Sequence, residues 1–440
     1  MNLCAGTATI DISPKSPMQL DGYPHVRRVA TGTHDPLLAS ALYLQNGDEA
    51  VLLCALDLLM LNGDFARRLR QRAAAAINLP ESHVFISCTH THSAPVTARY
   101  LPFGDEAVLR ALDPAFLAQI EAQTAQAAEQ ARAAAQPAEL TWRTADARGV
   151  GGNRHDPNGP TDSEAGVLGV RSLAGAWLAV AVIYGMHPTV LHEDSTLVSS
   201  DFPHYTRLHI REQLGQDVAV LYHTAPCGNQ SPRYFVNSQT FAEAERLGRK
   251  LGAAVVATLR AAPECAGTPL AGALCPVALY PRHLPAVSTA EKQLARYRAE
   301  HEELLVAGAK RPRVRTAEVA VFGAEGTVAL VTAAGDGRLA RLLADLQPFE
   351  VQALRIGEVC LVGLPGELFV EYSFAIKRRA ALKTAVVAFV NGELQGYIVT
   401  PQAVAAGGYE AAGRLFEPEA GDRLVATALN LVERLAVGAG

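Results

Sequence analysis

The most informative stretch of the chain is Val84-Phe85-Ile86-Ser87-Cys88-Thr89-His90-Thr91-His92-Ser93-Ala94-Pro95, in which an apolar segment runs into two histidines separated by one residue. The apolar start predicts a buried strand, and α/β proteins usually carry reactive groups in the loop after such a strand. Side chains at i and i+2 point the same way while the backbone stays extended. We therefore predict that His90 and His92 face one cavity, where one binds a metal ion and the other transfers protons. Loop histidines without a chemical role are the competing interpretation.

The composition indicates a soluble globular protein with a substantial hydrophobic core. Of the 440 residues, 49% are hydrophobic and 19% are charged, which is far from the composition of a disordered chain. The net charge of -5 provides no basic surface for nucleic acid, so we predict that nucleic acid is not a partner. A homo-oligomer is compatible with this composition.

The cysteine pattern and the N-terminal residues predict a cytoplasmic protein. The seven cysteines are scattered without a CxxC pair, at Cys4, Cys54, Cys88, Cys227, Cys265, Cys275 and Cys360. An odd, dispersed set predicts free thiols in a reducing compartment. The N-terminus lacks the basic segment and long apolar core of a signal peptide, and we find no apolar run near the roughly 18 residues needed to span a bilayer.

Strand-like runs alternate with helical runs along the chain, which predicts an α/β fold. Residues 50–56 form a continuous apolar run typical of a fully buried strand. Residues 113–134 are predicted to be a helix because Asp113-Pro114 is a favourable N-cap and N1 pair. We predict one catalytic domain over residues 1–440, with mixed β-sheets flanked by helices. Residues 265–355 are the least informative and are a candidate excursion from the main core.

Polar groups follow several of the predicted strands. They are His90 with His92, His187, the loop 226–233 with Asn229 and Ser231, Glu367, and Tyr397. Histidine and carboxylate ligands with one open position suit a catalytic zinc ion. Spacing alone does not select this set, since His187 could be a core histidine and Glu367 could simply lie in the first turn of a helix.

The ordered set of motifs resembles the zinc-dependent catalytic domain of the neutral (non-lysosomal) ceramidases and their bacterial relatives. The matching segments span nearly the whole chain: residues 6–14, Gly22-Tyr23, Thr89-His90-Thr91-His92-Ser93, Asn153-Arg154, His187, Gly228-Asn229-Gln230-Ser231-Pro232, Leu364-Pro365-Gly366-Glu367, Gly396-Tyr397-Ile398-Val399-Thr400-Pro401 and Tyr409-Glu410-Ala411-Ala412. The THTHS block and the closing tyrosine blocks are the most specific of these.

The resemblance implies a fold, a cofactor and a set of site residues. It implies one Zn²⁺ per chain, with ligands at His90, His187, Glu367 and Tyr397; Tyr409 is the competing fourth ligand. It places His92 beside the metal without being a ligand, and Arg154, Ser231 and Tyr397 at the reaction centre. It also implies that Gly22, Tyr23 and Asn229 lie on the substrate-binding side.

The function that this resemblance implies is a zinc-dependent amidohydrolase that cleaves an N-acyl bond with zinc-activated water. A serine hydrolase with Ser231 as nucleophile and His92 as base is the first alternative, although no Gly-x-Ser-x-Gly elbow surrounds Ser231. An esterase or lactonase on the same zinc site is the second, and a non-catalytic zinc or ligand-binding descendant is the third. The substrate is either ceramide or a smaller soluble N-acyl compound.

The chain departs from the family in two ways that bear on its substrate. The family carries a C-terminal β-sandwich domain and an N-terminal targeting segment, and we expect this chain to be a short bacterial-type member without them. Where the family typically has Asn-Arg-Ser, this chain has Asn153-Arg154-His155. We therefore expect a different pocket beside Arg154.

Overall fold

A computed structural model describes residues 3–23, 25–99, 112–261 and 269–438. Cys265 and the outermost residues of the predicted 1–440 domain lie outside these ranges. The strands are β1 (Cys4–Asp11), β2 (Gln19–Leu20), β3 (Arg28–Val29), β4 (Gly32–Thr33), β5 (Leu38–Asn46), β6 (Glu49–Leu56), β7 (Val84–Cys88), β8 (Gln136–Asp146), β9 (Gly152–Asn153), β10 (Glu164–Ser172), β11 (Trp177–Tyr184), β12 (Leu197–Val198), β13 (Ala219–Thr224), β14 (Gln230–Ser231), β15 (Leu270–Val277), β16 (Phe349–Ile356), β17 (Val359–Gly363), β18 (Glu367–Leu368), β19 (Lys383–Val387) and β20 (Tyr397–Ile398). The helices are α1 (Gly63–Ile77), α2 (Pro114–Ala133), α3 (Phe202–Leu214), α4 (Phe241–Arg260), α5 (Val287–Val306), α6 (Arg311–Gly335), α7 (Arg338–Leu346), α8 (Val370–Arg379), α9 (Pro401–Ala406), α10 (Tyr409–Gly413) and α11 (Ala420–Val437).

Two mixed sheets pack face to face, with helices on both outer faces. The larger sheet has the order β13-β11-β10-β8-β1-β5-β6-β7, and the smaller has the order β15-β16-β17-β19. In β6, Leu53 lies in the apolar layer between the sheets, whereas Leu52 and Cys54 face α1 and α2. This alternation explains why a continuous apolar run predicts the strand, because both of its faces are buried. The predicted α/β class with mixed sheets flanked by helices is confirmed.

Local signals predicted several element boundaries closely. The Asp113 carboxylate accepts hydrogen bonds from the backbone amides of Ala115 and Phe116 at 2.8 and 3.1 Å, and Pro114 occupies the first helical position of α2. Residues 386–390 form an apolar run that by itself predicts a strand, but only its first two residues are strand. The strand ends at Val387, because the chain leaves the small sheet there and Phe389 adopts a left-handed φ of 55°.

The candidate excursion contains both core strands and a helical insertion. β15 and β16 are antiparallel neighbours in the small sheet, and α5, α6 and α7 are inserted between them. Among the described residues, one stretch, Arg313–Gly335 in α6, is long and apolar enough to cross a membrane by length and composition alone. This stretch differs from the prediction that no apolar run comes near the roughly 18 residues needed to span a bilayer. In the fold, α6 packs against α5 and α10.

The two edges of the large sheet meet, although β7 and β13 lie at opposite ends of its strand order. The Ser87 hydroxyl on β7 is hydrogen-bonded to Nδ1 of His223 on β13 at 2.7 Å, and both side chains are fully buried. The segment after β19 bridges the same edges: the Ala388 amide donates to the Thr224 carbonyl, and the Cys88 amide donates to the Phe389 carbonyl. The carboxyl ends of β7, β13 and β19 are thereby brought to one place.

Candidate metal centre

His90 lies just beyond β7 in a strained backbone conformation. Its φ is 64°, in the left-handed region that residues other than glycine rarely adopt. The prediction that an extended backbone aligns His90 and His92 is therefore wrong. The two rings do converge, since their Nε2 atoms are 3.3 Å apart, but the turn at His90 brings them together. The His90 ring stacks on Phe389 with centroids 3.9 Å apart.

The loop after β6 fixes which nitrogen of His90 faces the cavity. The His90 amide donates to the Leu58 carbonyl at 2.9 Å, and Nδ1 lies 3.0 Å from the Leu59 carbonyl oxygen. A carbonyl oxygen only accepts, so Nδ1 carries the hydrogen and Nε2 presents its lone pair in the neutral ring. Burial lowers the pKa of His90 to about 3, which keeps the ring neutral.

His187 is held in a similar way near the other edge of the large sheet, where β11 is the neighbour of the edge strand β13. It follows β11, and its Nδ1 contacts the carbonyl oxygens of Cys227 and Gln230 at 2.8 and 3.0 Å. Its Nε2 lies 3.2 Å from Oε2 of Glu367. Burial opposes a charge on His187, but Cys227 and Glu367 outweigh burial and raise its pKa to about 10. A proton therefore occupies the side of the ring where a metal ion would bind, and metal binding would release it.

Glu367 and Tyr397 reach the cavity from the side of the small sheet. The two residues are directly paired across the parallel strands β18 and β20. Gly366, with φ of 74°, makes the turn that starts β18. Glu367 also reaches His90, with Oε1 3.6 Å from Nε2. Burial opposes ionisation of Glu367, but His90, His187 and Arg154 lower its pKa to about 2, so it is a carboxylate.

These donor atoms fit a divalent cation such as zinc. His90, His92 and His187 form a buried group whose ring nitrogens lie within 4.8 Å of one another. Donors that are each about 2.0–2.1 Å from a tetrahedral zinc are about 3.3–3.4 Å apart. The separations of Glu367 from His187 and from His90, 3.2 and 3.6 Å, are close to that value. Two histidines oriented by backbone carbonyls and one carboxylate are a typical zinc donor set, and His187 would join it as a neutral ligand after releasing its Nε2 proton.

His92 differs from the two other histidines in how its ring is held. Its Nδ1 is buried and has no hydrogen-bond partner within the described ranges, whereas Nδ1 of His90 and of His187 each meets a carbonyl. The Tyr23 ring packs edge-on against His92 at 5.2 Å, and the Tyr23 hydroxyl donates to the Leu191 carbonyl. The structure therefore places the predicted residues Gly22 and Tyr23 against His92.

Replacing Gly22 with alanine is expected to displace His92. A Cβ atom at this position would lie 2.5 Å from the His92 ring, and φ there is +100°. We expect kcat to fall by about 10- to 100-fold, as for other misplaced catalytic groups, while the metal content stays unchanged. The matched control is Gly175→Ala, which has a similar φ of +87° but open space around it. A Gly22→Ala enzyme with the same kcat as the control would contradict this role.

Arg154 directly follows β9 and lies against Tyr397 at the border of the centre. Its guanidinium carbon lies 5.3 Å from the centre of the Tyr397 ring, and its Nη2 is 2.6 Å from Oε1 of Glu410. Tyr409 is also close, with its ring centroid 5.8 Å from that of Tyr397. Both candidate tyrosines therefore border the site, and Tyr397 is the one paired with Glu367.

Asn229 lies in the loop that follows β13, and Ser231 lies in the short strand β14 directly after it. Ser231 is 7% exposed, and within the described ranges its hydroxyl is hydrogen-bonded to the Arg233 amide at 3.2 Å. The Asn229 side chain accepts from the Val370 amide and donates to Glu371, both at 2.9 Å. Asn229 thus ties this loop to α8, a structural role that its position in the sequence does not reveal.

Solved structures share this architecture. The chain superposes on neutral ceramidase from Pseudomonas aeruginosa with a TM-score of 0.76 over 99% of this chain and 74% of that one, at 16% identity. A ceramidase complexed with C2 gives a TM-score of 0.75 over 99% of this chain and 75% of that one, also at 16% identity. The chain has the neutral ceramidase fold. The resemblance inferred from the motifs is confirmed in the fold. No family model matches the chain, and no curated protein matches it by sequence.

Within this ceramidase fold, the predicted residues from distant parts of the chain do come together. His90, His92, His187, Glu367, Tyr397 and Arg154 border one buried centre. Sequence reasoning missed two contributors: Glu410, which pairs with Arg154, and the Ser87–His223 hydrogen bond beneath the site. Glu410 lies in the quoted Tyr409-Glu410-Ala411-Ala412 block, so a signal existed. No sequence signal marks the Ser87–His223 pair, because the two residues are 136 positions apart.

Proposed function

We propose that the chain is a zinc-dependent amidohydrolase that cleaves an N-acyl bond. The observation that carries this proposal is the convergence of Nε2 of His90, Nε2 of His187 and both oxygens of Glu367 in one buried centre. The neutral ceramidase fold supports it, because the named structural neighbours are ceramidases. Tyr397 completes the proposed ligand set. When bound there, zinc polarises the substrate carbonyl and lowers the pKa of water to about 7.

The remaining residues supply proton transfer and positive charge. His92, whose Nε2 faces the centre, takes the proton from the attacking water and returns it to the leaving nitrogen. The Arg154 guanidinium stabilises the negative charge that develops on the carbonyl oxygen. Ser231 orients that carbonyl by donating a hydrogen bond through its hydroxyl. A nucleophilic role for Ser231 requires a base within hydrogen-bond reach, and its described hydrogen bond is to the Arg233 amide instead.

The first test combines metal analysis with a substrate series. Purified protein is expected to contain about one zinc per chain and to hydrolyse N-acyl substrates until a chelator removes the metal. Acyl chains from acetyl to palmitoyl would show whether the substrate is a ceramide-like lipid or a smaller soluble amide. Esters in the same series would reveal an esterase or lactonase. Activity that survives complete metal removal would refute the zinc mechanism.

Two variants separate the roles of His92 and Ser231. His92→Ala is expected to retain its metal and to lose about 10²- to 10⁴-fold in kcat, the usual contribution of a general acid–base. Loss of the metal would instead make His92 a ligand. Ser231→Ala is expected to lower kcat by about 10²- to 10³-fold. In the wild-type protein, we expect no acyl adduct on Ser231. An acylated Ser231 detected by peptide mass spectrometry would establish the serine-nucleophile alternative.

A further inference from the structure

Arg154 needs an anchor if it is to stabilise charge at the centre. Its side chain has several rotatable bonds, and immobilising such a chain costs up to about 2 kcal/mol in rotamer entropy. Its backbone is held, since the Arg154 amide donates to the Asn229 carbonyl at 2.9 Å. That bond fixes the Cα position but does not by itself place the guanidinium beside Tyr397, 5.3 Å from the ring centre. A partner at the far end of the side chain is therefore required.

Glu410 provides this partner from a different part of the chain. It lies in the first turn of α10 and is 5% exposed, with Oε1 2.6 Å from Nη2 of Arg154. Burial opposes ionisation of Glu410, but Arg154 and His155 lower its pKa to about 2. A buried carboxylate that stays ionised attracts this guanidinium by charge, and the contact is an ion pair without hydrogen-bond geometry, since Nη2 of Arg154 has no hydrogen-bond partner within the described ranges.

The position of Glu410 is itself fixed from two sides. The same Oε1 atom lies 3.2 Å from Nε2 of His155, the residue that stands where the family typically has serine. On the other side, α6 packs closely against α10. A Cβ atom at Gly323 would lie 3.0 Å from the Cβ of Ala412, so the two helices are in close contact. The contact with His155 and the packing of α10 on α6 both help to hold Glu410 in place.

We infer that Glu410 is a positioning residue, which holds the Arg154 guanidinium over Tyr397, and that His155 steadies the same carboxylate oxygen. This inference rests on the proposed function for its effect on catalysis. Glu410 acts through Arg154 and not on the substrate, because Arg154 lies between Glu410 and the centre. The role predicts a specific pattern: the effects of changing Glu410 and Arg154 on kcat should not add.

A double-mutant cycle in kcat tests the inference. Arg154→Met is expected to lower kcat by about 10³-fold and Glu410→Gln by about 10²-fold, within the range for a lost charge-stabilising donor. The double variant should match Arg154→Met, since Glu410 has nothing left to position. KM should change little in Glu410→Gln. Additive losses, or full kcat in Glu410→Gln, would overturn the inference. His155→Ala should lower kcat less than Glu410→Gln does.

A matched control variant separates a specific effect of Glu410 from a general effect of removing a buried carboxylate. A second readout does not depend on the proposed catalytic activity. The control is Glu350→Gln, another buried carboxylate, which pairs with Arg70 at 2.9 Å away from the centre; it should retain its kcat. The second readout is modification of Arg154 by phenylglyoxal, followed by peptide mass spectrometry. It should be at least tenfold faster in Glu410→Gln than in wild type and the control. An equal rate would overturn the inference, and this result stands even if the protein hydrolyses no amide.

Discussion

His90→Ala is expected to abolish both metal binding and catalysis. The variant removes one donor of the proposed set and the stacking contact with Phe389. Loss of even an outer partner of a metal ligand costs 10- to 100-fold in affinity, so we expect the metal affinity to fall by at least about 100-fold. A metal ion bound at the proposed site would contribute several kcal/mol to transition-state stabilisation, so its loss would lower kcat/KM by roughly 10³-fold.

Elemental analysis after dialysis, together with initial rates on an N-acyl substrate, checks this expectation. His301→Ala on α5 is the control, because it removes a histidine outside the centre and should keep both metal and activity. The left-handed backbone of His90 adds a further expectation: the alanine variant should not gain stability from losing the ring, because the φ of 64° is unfavourable for alanine as well. A His90→Ala protein with a full complement of tightly bound metal would contradict the proposed ligand set.

Arg207→Ala is expected to cause the largest loss of stability. Arg207 on α3 forms a fully buried ion pair with Asp57 at the end of β6 and also donates to the Ser200 hydroxyl at 3.1 Å. Removing the arginine leaves the Asp57 carboxylate buried without its charge partner, which typically costs about 3–5 kcal/mol. Asp57 starts the loop that holds His90 through Leu58 and Leu59, so the metal centre depends on this pair indirectly.

Urea unfolding of wild type and Arg207→Ala measures that loss as a difference in the free energy of unfolding. Burial already raises the pKa of Asp57 against the opposing effect of Arg207, and removing Arg207 raises it further. Because the pKa of Asp57 in the folded variant is higher, the folded variant takes up a proton on Asp57 as the pH falls, and this uptake stabilises it. The loss in the free energy of unfolding should therefore be smaller at pH 5 than at pH 7. The control is Arg68→Ala, whose half-exposed pair with Asp64 should contribute under about 1 kcal/mol. Equal losses in the two variants would contradict the prediction.

The sequence alone predicted the class of fold and a set of candidate residues, several of which the structure brings to one centre. Apolar runs such as residues 50–56 identify strands because both faces of the central strands are buried, and Asp113-Pro114 marks a helix start because the cap is local chemistry. The ordered motifs selected His90, His187, Glu367 and Tyr397, which no spacing rule could have grouped. These signals are local or are carried by short motifs, so they can be recognised without knowing how the chain packs.

Tertiary structure alone decided how these residues meet. The Ser87–His223 hydrogen bond and the bridging segment after β19 bring the opposite edges of the large sheet together, and neither is encoded by residues that are near each other in sequence. The left-handed turn at His90 is stabilised by Leu58, Leu59 and Phe389, so an extended backbone was the wrong prediction. Glu410 reaches Arg154 because α10 packs against α6. Such contacts depend on closure of the whole fold, whereas strand and helix formation depends on neighbours along the chain.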